Sequence, residues 1–250
     1  MTMATLDRRS VLGLGGAVAA GVVLAPGVTL LAAPAEETPP AGASSSRRWA
    51  MLIDTNQCAA DCTACLAACR QENNVPLFGE PARDVHWIRK VEIRDKDRRR
   101  PSVSLPVLCN HCEEPPCVHV CPTEASFVRK DGIVLVDEHR CIGCRYCMIA
   151  CPYKARSLVY HETRRGPGSN PDVPIRSKGV VEKCTFCVHR LDNGQGPACV
   201  EACSKEGKTA MLFGDLNDPN SEIAKRIRTV ATQTIRPDLG LKPHVHYQGL

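Results

Sequence analysis

The arrangement of the cysteines constrains this chain more than any other feature of its sequence. Sixteen cysteines occur in 250 residues, and they fall into four groups of four with none left over. In chain order, groups I to IV are Cys58, Cys62, Cys65 and Cys69; Cys109, Cys112, Cys117 and Cys121; Cys141, Cys144, Cys147 and Cys151; and Cys184, Cys187, Cys199 and Cys203. An internal repeat of this kind predicts one local device that is used four times.

Aromatic side chains are scarce, at 4% of the residues. The large rings that usually fill a protein core therefore contribute little here. We expect the cysteines, and whatever they bind, to organise the interior.

Three chemistries use cysteines at such spacings. Disulfides suit an exported chain, but cysteines three residues apart are awkward to bridge locally. Structural zinc sites use C-x2-C pairs, although they usually join two separated pairs rather than three closely spaced thiolates and a fourth. The group III run "CIGCRYCMIACP" has the C-x2-C-x2-C-x3-C-P spacing of bacterial ferredoxins. The spacing therefore favours iron–sulfur ligation, with disulfides and zinc as the alternatives.

The reach of each loop predicts how its thiolates are shared. Three thiolates on a tight loop can cap three iron corners of one cube, whereas the fourth lies one helical turn further on and points away. Each group then supplies three ligands to one cluster and one ligand to a neighbouring cluster. Sixteen thiolates at four per cluster predict four [4Fe-4S] clusters in coupled pairs.

The N-terminal segment indicates export. Arg8 and Arg9 precede an uncharged stretch rich in Ala, Gly, Val and Leu over residues 10–35, which predicts a twin-arginine signal over 1–35 with cleavage after Ala35. An uncleaved membrane anchor is the alternative. The twin-arginine route carries folded proteins, so clusters can be inserted in the reducing cytosol before export. We expect a periplasmic protein that is peripheral to the cytoplasmic membrane and contacts it through partners.

The charge pattern gives no sign of nucleic-acid binding. The formal net charge is only +5, and bound clusters with their thiolates would lower it. The one dense basic stretch, residues 89–100, is interleaved with acids, and we interpret it as a solvated hairpin rather than a docking patch.

The order of strands, cysteine loops and short helices predicts an α+β fold. We expect a strand from Trp49 over "WAMLIDT" before group I, and two strands in "SFVRKDGIVLVD" that turn at Asp131-Gly132 before group III. We expect tandem bacterial-type ferredoxin (βαβ-like) halves with pseudo-twofold symmetry and loop-rich extensions. The expected parts are a signal over 1–35, a linker over 36–47, an outer ferredoxin half over 48–100 and 175–215, an inner half over 101–165, and a C-terminal helix and extended tail over 216–250. We expect Asp218 to cap that helix, with Pro219 at its first position.

Several segments carry a family resemblance, which runs from about Trp49 to Leu250. They are "ENNVPLFG", "VHWIRKVEI", "LCNHCEEPPCVHVCPTEA", "DEHRCIGCRYCMIACPYKAR", "CTFCVHRLDNGQGPACVEAC" and "FGDLNDPNSEI". With the four cysteine groups and the predicted signal, the chain resembles the four-cluster ferredoxin subunits of membrane-associated molybdopterin oxidoreductases, such as dimethyl sulfoxide reductase, and their relatives. Within that superfamily these segments are most similar to the DsrO family, the exported iron–sulfur subunits of the Dsr transmembrane complex.

The resemblance implies a specific exchange of ligands between the groups. It assigns Cys203 to the cluster of Cys58, Cys62 and Cys65, and Cys69 to the cluster of Cys184, Cys187 and Cys199. It also assigns Cys151 to the cluster of Cys109, Cys112 and Cys117, and Cys121 to the cluster of Cys141, Cys144 and Cys147. Two departures from the family pattern affect the first of these clusters: three residues separate Cys58 from Cys62, and Ser204 stands where proline is usual.

The resemblance also implies a function. The expected role is a non-catalytic electron-transfer subunit of a sulfur-metabolism complex, between a quinone-interacting integral membrane subunit and a multihaem cytochrome c or molybdopterin catalytic subunit. The alternatives are a subunit of a polysulfide, tetrathionate or dimethyl sulfoxide reductase or of nitrite reduction, and, from another class, a zinc-stabilised exported scaffold. Four histidines lie close to cysteine loops, and we interpret them as packing or surface residues rather than ligands: His111, His119, His139 and His189.

Overall fold

The computed structural model describes residues 22–25, 28–30, 43–94, 102–207 and 209–250. The predicted twin-arginine pair, most of the predicted signal and linker, the proposed cleavage position and the tip of the basic stretch at 95–101 lie outside these ranges. The chain divides into two units, Met1–Pro39 and Pro40–Leu250. In the first unit, strands β1 (Val22–Ala25) and β2 (Val28–Leu30) pair antiparallel.

The second unit consists of short strands and short helices. Its strands are β3 (Trp49–Asp54), β4 (Ile88–Ile93), β5 (Val103–Leu108), β6 (Ser126–Val128), β7 (Val134–Val136), β8 (Ser157–Leu158), β9 (Val181–Glu182), β10 (Met211–Asp215), β11 (Thr232–Gln233) and β12 (Val245–Gln248). Its helices are α1 (Ala64–Glu72), α2 (Pro116–His119), α3 (Tyr146–Ala150), α4 (Val188–Leu191), α5 (Ala198–Lys205) and α6 (Glu222–Thr229), with a 3₁₀ turn at Pro237–Leu239. The predicted α+β class is confirmed.

A four-stranded sheet in the order β10-β3-β12-β11 forms the largest element. Strand β3 is antiparallel to β10 and parallel to β12. The C-terminal tail, which the sequence predicts as an extended segment, thus supplies an interior strand of the sheet. Tyr247 of β12 is fully buried and donates its hydroxyl to the Pro106 carbonyl at 3.2 Å, which joins the sheet to strand β5.

Three two-stranded hairpins or ladders surround the cysteine loops: β4-β5, β6-β7 and β8-β9. The predicted turn at Asp131-Gly132 connects β6 to β7, and Gly132 adopts φ +85°, a conformation that favours glycine. The basic stretch does begin a hairpin, β4-β5, but its first two cations are not simply solvated. Arg89 donates to the carbonyls of Tyr153 and Lys154, and Lys90 donates to those of Ala59 and Cys62.

The helices that follow the cysteine loops pack in two pairs. Helix α1, which carries the end of group I, packs against α5, which carries the end of group IV. Helix α2 of group II packs against α3 of group III. This pairing brings the first and last groups together, and it brings the two middle groups together.

The cap expected for the C-terminal helix is wrong. Helix α6 begins after Ser221, whose hydroxyl accepts the Ala224 N–H at 3.3 Å, and not after Asp218. The Asp218 carboxylate instead accepts the Asn220 N–H at 2.9 Å, so it is used by the turn before the helix. As expected, the helix packs on the body, with Ile223 buried against Ala50 and Leu52.

Cysteines and apolar side chains share one core. Met51, Ile53, Leu105, Phe186 and Tyr247 are among its most buried members. Seven buried cysteines belong to the same cluster: Cys65, Cys69, Cys109, Cys112, Cys151, Cys184 and Cys199. The interior is therefore built around the cysteine loops, as the shortage of aromatic residues predicts.

Within the part of the chain that the structure describes, no helix has the length and apolarity needed to cross a bilayer.

Candidate metal centres

The fold gathers the cysteines into sets that mix residues from two groups. All sixteen lie within the described ranges and carry free thiols. We name the sets by their position along the molecule. They are set A (Cys58, Cys62, Cys65, Cys203), set B (Cys69, Cys184, Cys187, Cys199), set C (Cys109, Cys112, Cys117, Cys151) and set D (Cys121, Cys141, Cys144, Cys147).

Set A combines the loop after β3 with the end of α5. All four of its cysteines line one small cavity, which Pro106 and Met211 close. Burial raises the pKa of Cys65 to about 11, and the neighbouring sulfurs of Cys58 and Cys203 add to the shift. The residue that departs in spacing, Cys58, therefore still faces this cavity.

Set B is the most buried of the four sets. Burial raises the pKa of the Cys69 thiol well above its usual value, and the sulfurs of Cys184, Cys199 and Cys187 contribute further. The Asn73 amide donates to the sulfurs of Cys69 at 3.8 Å and Cys187 at 3.5 Å. Cys69 belongs to group I, so the α1-α5 packing has carried it to the sulfurs of group IV.

Set C joins group II to the last cysteine of group III. Burial raises the pKa of Cys112 to about 12, with the sulfurs of Cys109, Cys117 and Cys151 as further causes. Cys151 lies directly after helix α3 in an extended conformation. The end of that helix therefore directs Cys151 away from its own loop.

Set D, like set A, has three half-buried cysteines and one buried cysteine. Burial raises the pKa of Cys147, and the sulfurs of Cys141 and Cys121 also raise it. Cys144 lies between Cys141 and Cys147 in the sequence and lines a surface groove with Tyr146 and Ile149, and its assignment to set D follows the predicted ligand exchange. The sulfur of Cys121 accepts the Ser126 N–H at 3.4 Å. Burial opposes ionisation of Cys121, but hydrogen bonds from Ser126 and Thr123 outweigh it and lower its pKa.

Left-handed backbone turns shape the cysteine loops. His111, Arg145, Phe186 and Cys187 adopt positive φ although none is glycine, and Gly143 adopts φ +67°. Such conformations cost free energy and persist where the surroundings enforce them, often at functional sites. One result is that the Phe186 N–H donates to the Cys184 sulfur at 3.4 Å.

The donors present fit iron–sulfur clusters. Soft thiolates are the ligands of such clusters, and burial here disfavours free thiolates unless a metal compensates their charge. Among the described residues, no three Cys, His, Asp or Glu side chains converge closely enough to hold a single metal ion.

The four histidines near the cysteine loops occupy different surroundings. His111 is buried and stacks on Phe186 at 3.8 Å, and its Nδ1 accepts the Val134 N–H at 3.1 Å. The His189 Nε2 lies 2.8 Å from a Glu72 carboxylate oxygen. His119 and His139 are exposed. These contacts agree with packing and surface roles.

Two buried cations next to the sulfurs were not singled out from the sequence. The Arg156 guanidinium donates to the Cys117 sulfur at 3.0 Å and to the Ser126 hydroxyl at 2.7 Å. Lys183 is buried, and its ammonium donates to the carbonyls of Val134 and Cys184. Burial lowers the pKa of Lys183, while the Cys109 sulfur opposes that shift. The one sequence feature that could have pointed to Lys183 is its position directly before Cys184.

Comparison with protein families identifies the domain. A family model described as a 4Fe-4S dicluster domain matches residues 102–166 and 172–216, which contain groups II, III and IV.

Known proteins extend the match to the whole chain. The chain is 48% identical to iron–sulfur subunit 1 of the Hdr-like menaquinol oxidoreductase of Archaeoglobus fulgidus, over 98% of each chain. It is 41% identical to a subunit of the tetrathionate reductase of Salmonella typhimurium, over 83% of this chain and 74% of the relative. It is 33% identical to the iron–sulfur cluster-binding subunit of the menaquinone reductase of Nitratidesulfovibrio vulgaris, over 80% and 88%. The chain therefore belongs to the family of 4Fe-4S ferredoxin-type subunits of oxidoreductases, which hold iron–sulfur clusters and transfer electrons.

Proposed function

We propose that the chain holds four [4Fe-4S] clusters, one in each of sets A to D. It serves as a non-catalytic subunit between a quinone-interacting integral membrane subunit and a multihaem cytochrome c or molybdopterin catalytic subunit. When bound, each cluster would accept and release one electron at a time.

The observation that carries this proposal is the continuous row of sulfur environments. Set A adjoins set B, since Cys65 is a neighbour of both Cys69 and Cys199. Set B adjoins set C, because the sulfurs of Cys184 and Cys109 interact. Arg156 lies between set C and set D, next to Cys117 and Cys147. An unbroken row of four sites suits electron transfer from set A at one end of the row to set D at the other.

The chain's own residues prepare these sites in two ways. They exclude water, since Cys69, Cys184, Cys187 and Cys199 are each at most 5% exposed. They also direct N–H donors and cations at the sulfurs, which stabilises negative charge there. Asn73 acts in this way in set B, and Arg156 acts in this way in set C.

The experiment that tests cluster binding is elemental analysis of anaerobically purified protein. About sixteen iron and sixteen acid-labile sulfide atoms per chain are expected, with a reducible absorption band in the blue. Redox-titrated electron paramagnetic resonance (EPR) then counts the clusters. A colourless protein that carries zinc and no iron would establish the zinc-stabilised scaffold instead.

A link to quinones is supported by two relatives whose names refer to menaquinol or menaquinone. For the place in sulfur metabolism, the support is the resemblance to the DsrO family. The names of other relatives keep the alternative open that the catalytic partner is a tetrathionate or dimethyl sulfoxide reductase. Formate-dependent nitrite reduction is a further alternative, because a homologue of NrfC also matches.

Isolation of the native complex through an affinity tag on this chain separates these partners. Covalently bound haem c without molybdenum in the complex would support the cytochrome partner. Molybdenum without haem c would support the reductase. A complex with neither would contradict both assignments.

We also propose that the chain is exported folded by the twin-arginine route and works on the outer face of the cytoplasmic membrane. Replacement of both Arg8 and Arg9 by Lys is expected to leave the cluster-loaded protein in the cytoplasm. Cell fractionation with iron analysis checks this. Equal amounts of wild type and variant in the periplasm would overturn the proposed route.

A further inference from the structure

Two buried cations lie at the junctions between cysteine sets. Arg156 is 5% exposed and Lys183 is 2% exposed. A buried charge is costly unless an opposite charge or strong hydrogen bonds compensate it. The groups that surround these two side chains therefore indicate which negative charge compensates them.

Two half-buried arginines of this chain pair with carboxylates. Arg129 contacts Asp131 at 2.6 Å and Asp192 at 2.8 Å. Arg190 contacts Glu72 at 3.0 Å and Glu201 at 2.5 Å. Carboxylates thus compensate the guanidinium charge at both of these half-buried positions.

Arg156 and Lys183 have a different environment. Within residues 43–94, 102–207 and 209–250, no carboxylate lies within ion-pair distance of either side chain. Arg156 contacts the sulfur of Cys117 and the hydroxyl of Ser126, and its nearest negative groups are cysteine sulfurs. Lys183 bonds only to carbonyls, and its nearest negative groups are also cysteine sulfurs.

The sulfurs near each cation come from two different sets. Arg156 donates to the Cys117 sulfur of set C at 3.0 Å and lies near the Cys147 sulfur of set D. Lys183 lies near Cys184 of set B and near Cys109 of set C. Each cation thus occupies a junction, and set C lies between the two.

We propose that Arg156 and Lys183 are shared counter-cations of neighbouring clusters, Arg156 for sets C and D and Lys183 for sets B and C. This inference rests on the proposal that the sets hold clusters. A cluster with four thiolates is an anion, and reduction adds one more negative charge. A positive charge beside it stabilises the reduced form more than the oxidised form, because the Coulomb attraction grows with the cluster charge. Each cation therefore raises the reduction potential of both its neighbours.

The test compares charge-removing and charge-keeping variants by EPR-monitored redox titration of the cluster-loaded full chain, with dithionite and ferricyanide as titrants. Iron and sulfide are measured first in every sample. Signals are assigned to sets with the reference variants Cys117→Ser for set C, Cys147→Ser for set D and Cys199→Ser for set B. Arg89→Gln is the matched control, since Arg89 bonds the carbonyls of Tyr153 and Lys154 near Arg156 but touches no sulfur.

Arg156→Gln is expected to shift two of the four potentials, those of sets C and D, to more negative values. Arg156→Lys, which keeps the charge, should shift them much less. Lys183→Gln should shift sets B and C, so that only set C responds to both. Potentials of all four clusters that match those of the Arg89→Gln control would overturn the inference, and so would equal shifts in the Lys and Gln variants of Arg156.

Two further outcomes keep the test decisive. If Arg156→Gln fails to load four clusters, the Arg156→Lys variant decides: full iron content with near-native potentials supports the charge role, and loss of the same iron overturns it. A wild-type protein without iron would contradict the proposed function itself. Unshifted potentials in iron-loaded variants would contradict only the role of the two cations.

Discussion

At the scale of single residues, burial sets the chemistry of the cysteines. Burial is the largest cause of the raised thiol pKa of Cys65, Cys112 and Cys184, which reach about 11, 12 and 12. A thiol of this kind stays protonated at neutral pH unless a metal replaces the proton. Cluster binding at these three thiols therefore releases protons.

The ligand exchange between groups has a test at one residue. In Cys151→Ser, the cluster of set C is expected to be lost or converted, with a loss of at most about four iron atoms per chain. The cluster of set D, on the loop that Cys151 follows, should stay largely intact. Iron analysis and EPR measure both effects.

The matched variant Cys147→Ser should give the opposite pattern. Cys147 lies in the first turn of helix α3, Cys151 follows its last residue, and the two are equally buried, so the comparison isolates which set each thiol serves. Damage to set D in the Cys151→Ser protein, with set C preserved, would show that the exchange is wrong.

His244 makes the docking of the C-terminal strand sensitive to acid. Its backbone N–H donates to the Asn110 carbonyl at 2.8 Å, and its own carbonyl accepts the Met51 N–H at 3.0 Å. Burial, followed by the nearby Arg48, lowers the pKa of His244 from 6.5 to about 4. In the opened strand His244 accepts a proton below about pH 6.5, whereas in the docked strand it accepts one only below about pH 4. Acidification from about 6.5 to about 4 therefore destabilises the docked strand, by at most about 3 kcal/mol.

Amide hydrogen exchange of β12 at pH 7 and pH 5 measures this effect. The opening free energy should fall on acidification in the wild type and fall less in His244→Gln. Some dependence should remain, because burial also lowers the pKa of His246. The control His161→Gln, at a histidine that contacts Glu80 outside this strand, should keep the full dependence. An unchanged response in His244→Gln would exclude this role.

At the scale of elements, the cysteines lie on loops and on short helices. Helices α2, α3 and α4 have only four or five residues each, so tertiary contacts and not helix propensity must fix them. The loop of group III depends on one close approach. A Cβ at Gly143 would collide with the Gly179 carbonyl oxygen, and the positive φ of Gly143 also disfavours a side chain.

Gly143→Ala is expected to weaken or abolish cluster binding in set D. The collision with backbone forces the loop away from the segment at Gly179, at a cost of about 1–3 kcal/mol or more. Iron content and the midpoint of thermal bleaching of the cluster absorption measure the loss.

Gly179→Ala is the matched control, because Gly179 also has positive φ, +89°, but a Cβ there meets nothing within 4 Å. That variant should lose much less iron and less thermal stability than Gly143→Ala. Equal losses in both would attribute the effect to backbone conformation alone and not to the close approach.

At the scale of the whole molecule, the C-terminal tail contacts the start of the loop that carries the first cysteine group. Strand β12 lies between β3 and β11 in the sheet. The Gln248 carbonyl accepts hydrogen bonds from both the N–H and the hydroxyl of Thr55, at 3.0 and 2.9 Å. Thr55 begins the loop that carries Cys58. The last residues of the chain thus position the first ligands of set A.

A chain that ends at residue 243 is expected to lose iron from set A first. Removal of β12 leaves the edge of β3 unpaired and frees the loop after Thr55. Iron analysis with EPR, assigned against Cys58→Ser, checks which cluster is lost. Removal of Leu250 alone, which breaks the hydrogen bond from Gln233 to its carbonyl and removes one half-buried side chain from the edge of the core, should retain all clusters. A random loss of iron over the four sets would contradict this role of the tail.

The sequence by itself determined the chemistry and the local structure. The spacing within each cysteine group predicts the type of site, because ligands within one loop are set by short-range chain geometry. Strands such as Trp49–Asp54 and the turn at Asp131-Gly132 follow from local apolar and turn patterns, and the structure confirms them. The cap at Asp218 was wrong because two nearby residues can serve, and the contact of the Ser221 hydroxyl with the Asp215 carbonyl favours the later one.

Only the tertiary structure decided how the groups are brought together and what surrounds them. Packing of α1 on α5 and of α2 on α3 places sulfurs distant in sequence side by side. The tail at 245–248 looked like an extended segment and became an interior strand, since its partner lies almost 200 residues earlier. Arg156 and Lys183 look like ordinary basic residues in the sequence, because burial without a carboxylate partner is a property of the fold. Long-range packing is what turns four local motifs into one row of sites.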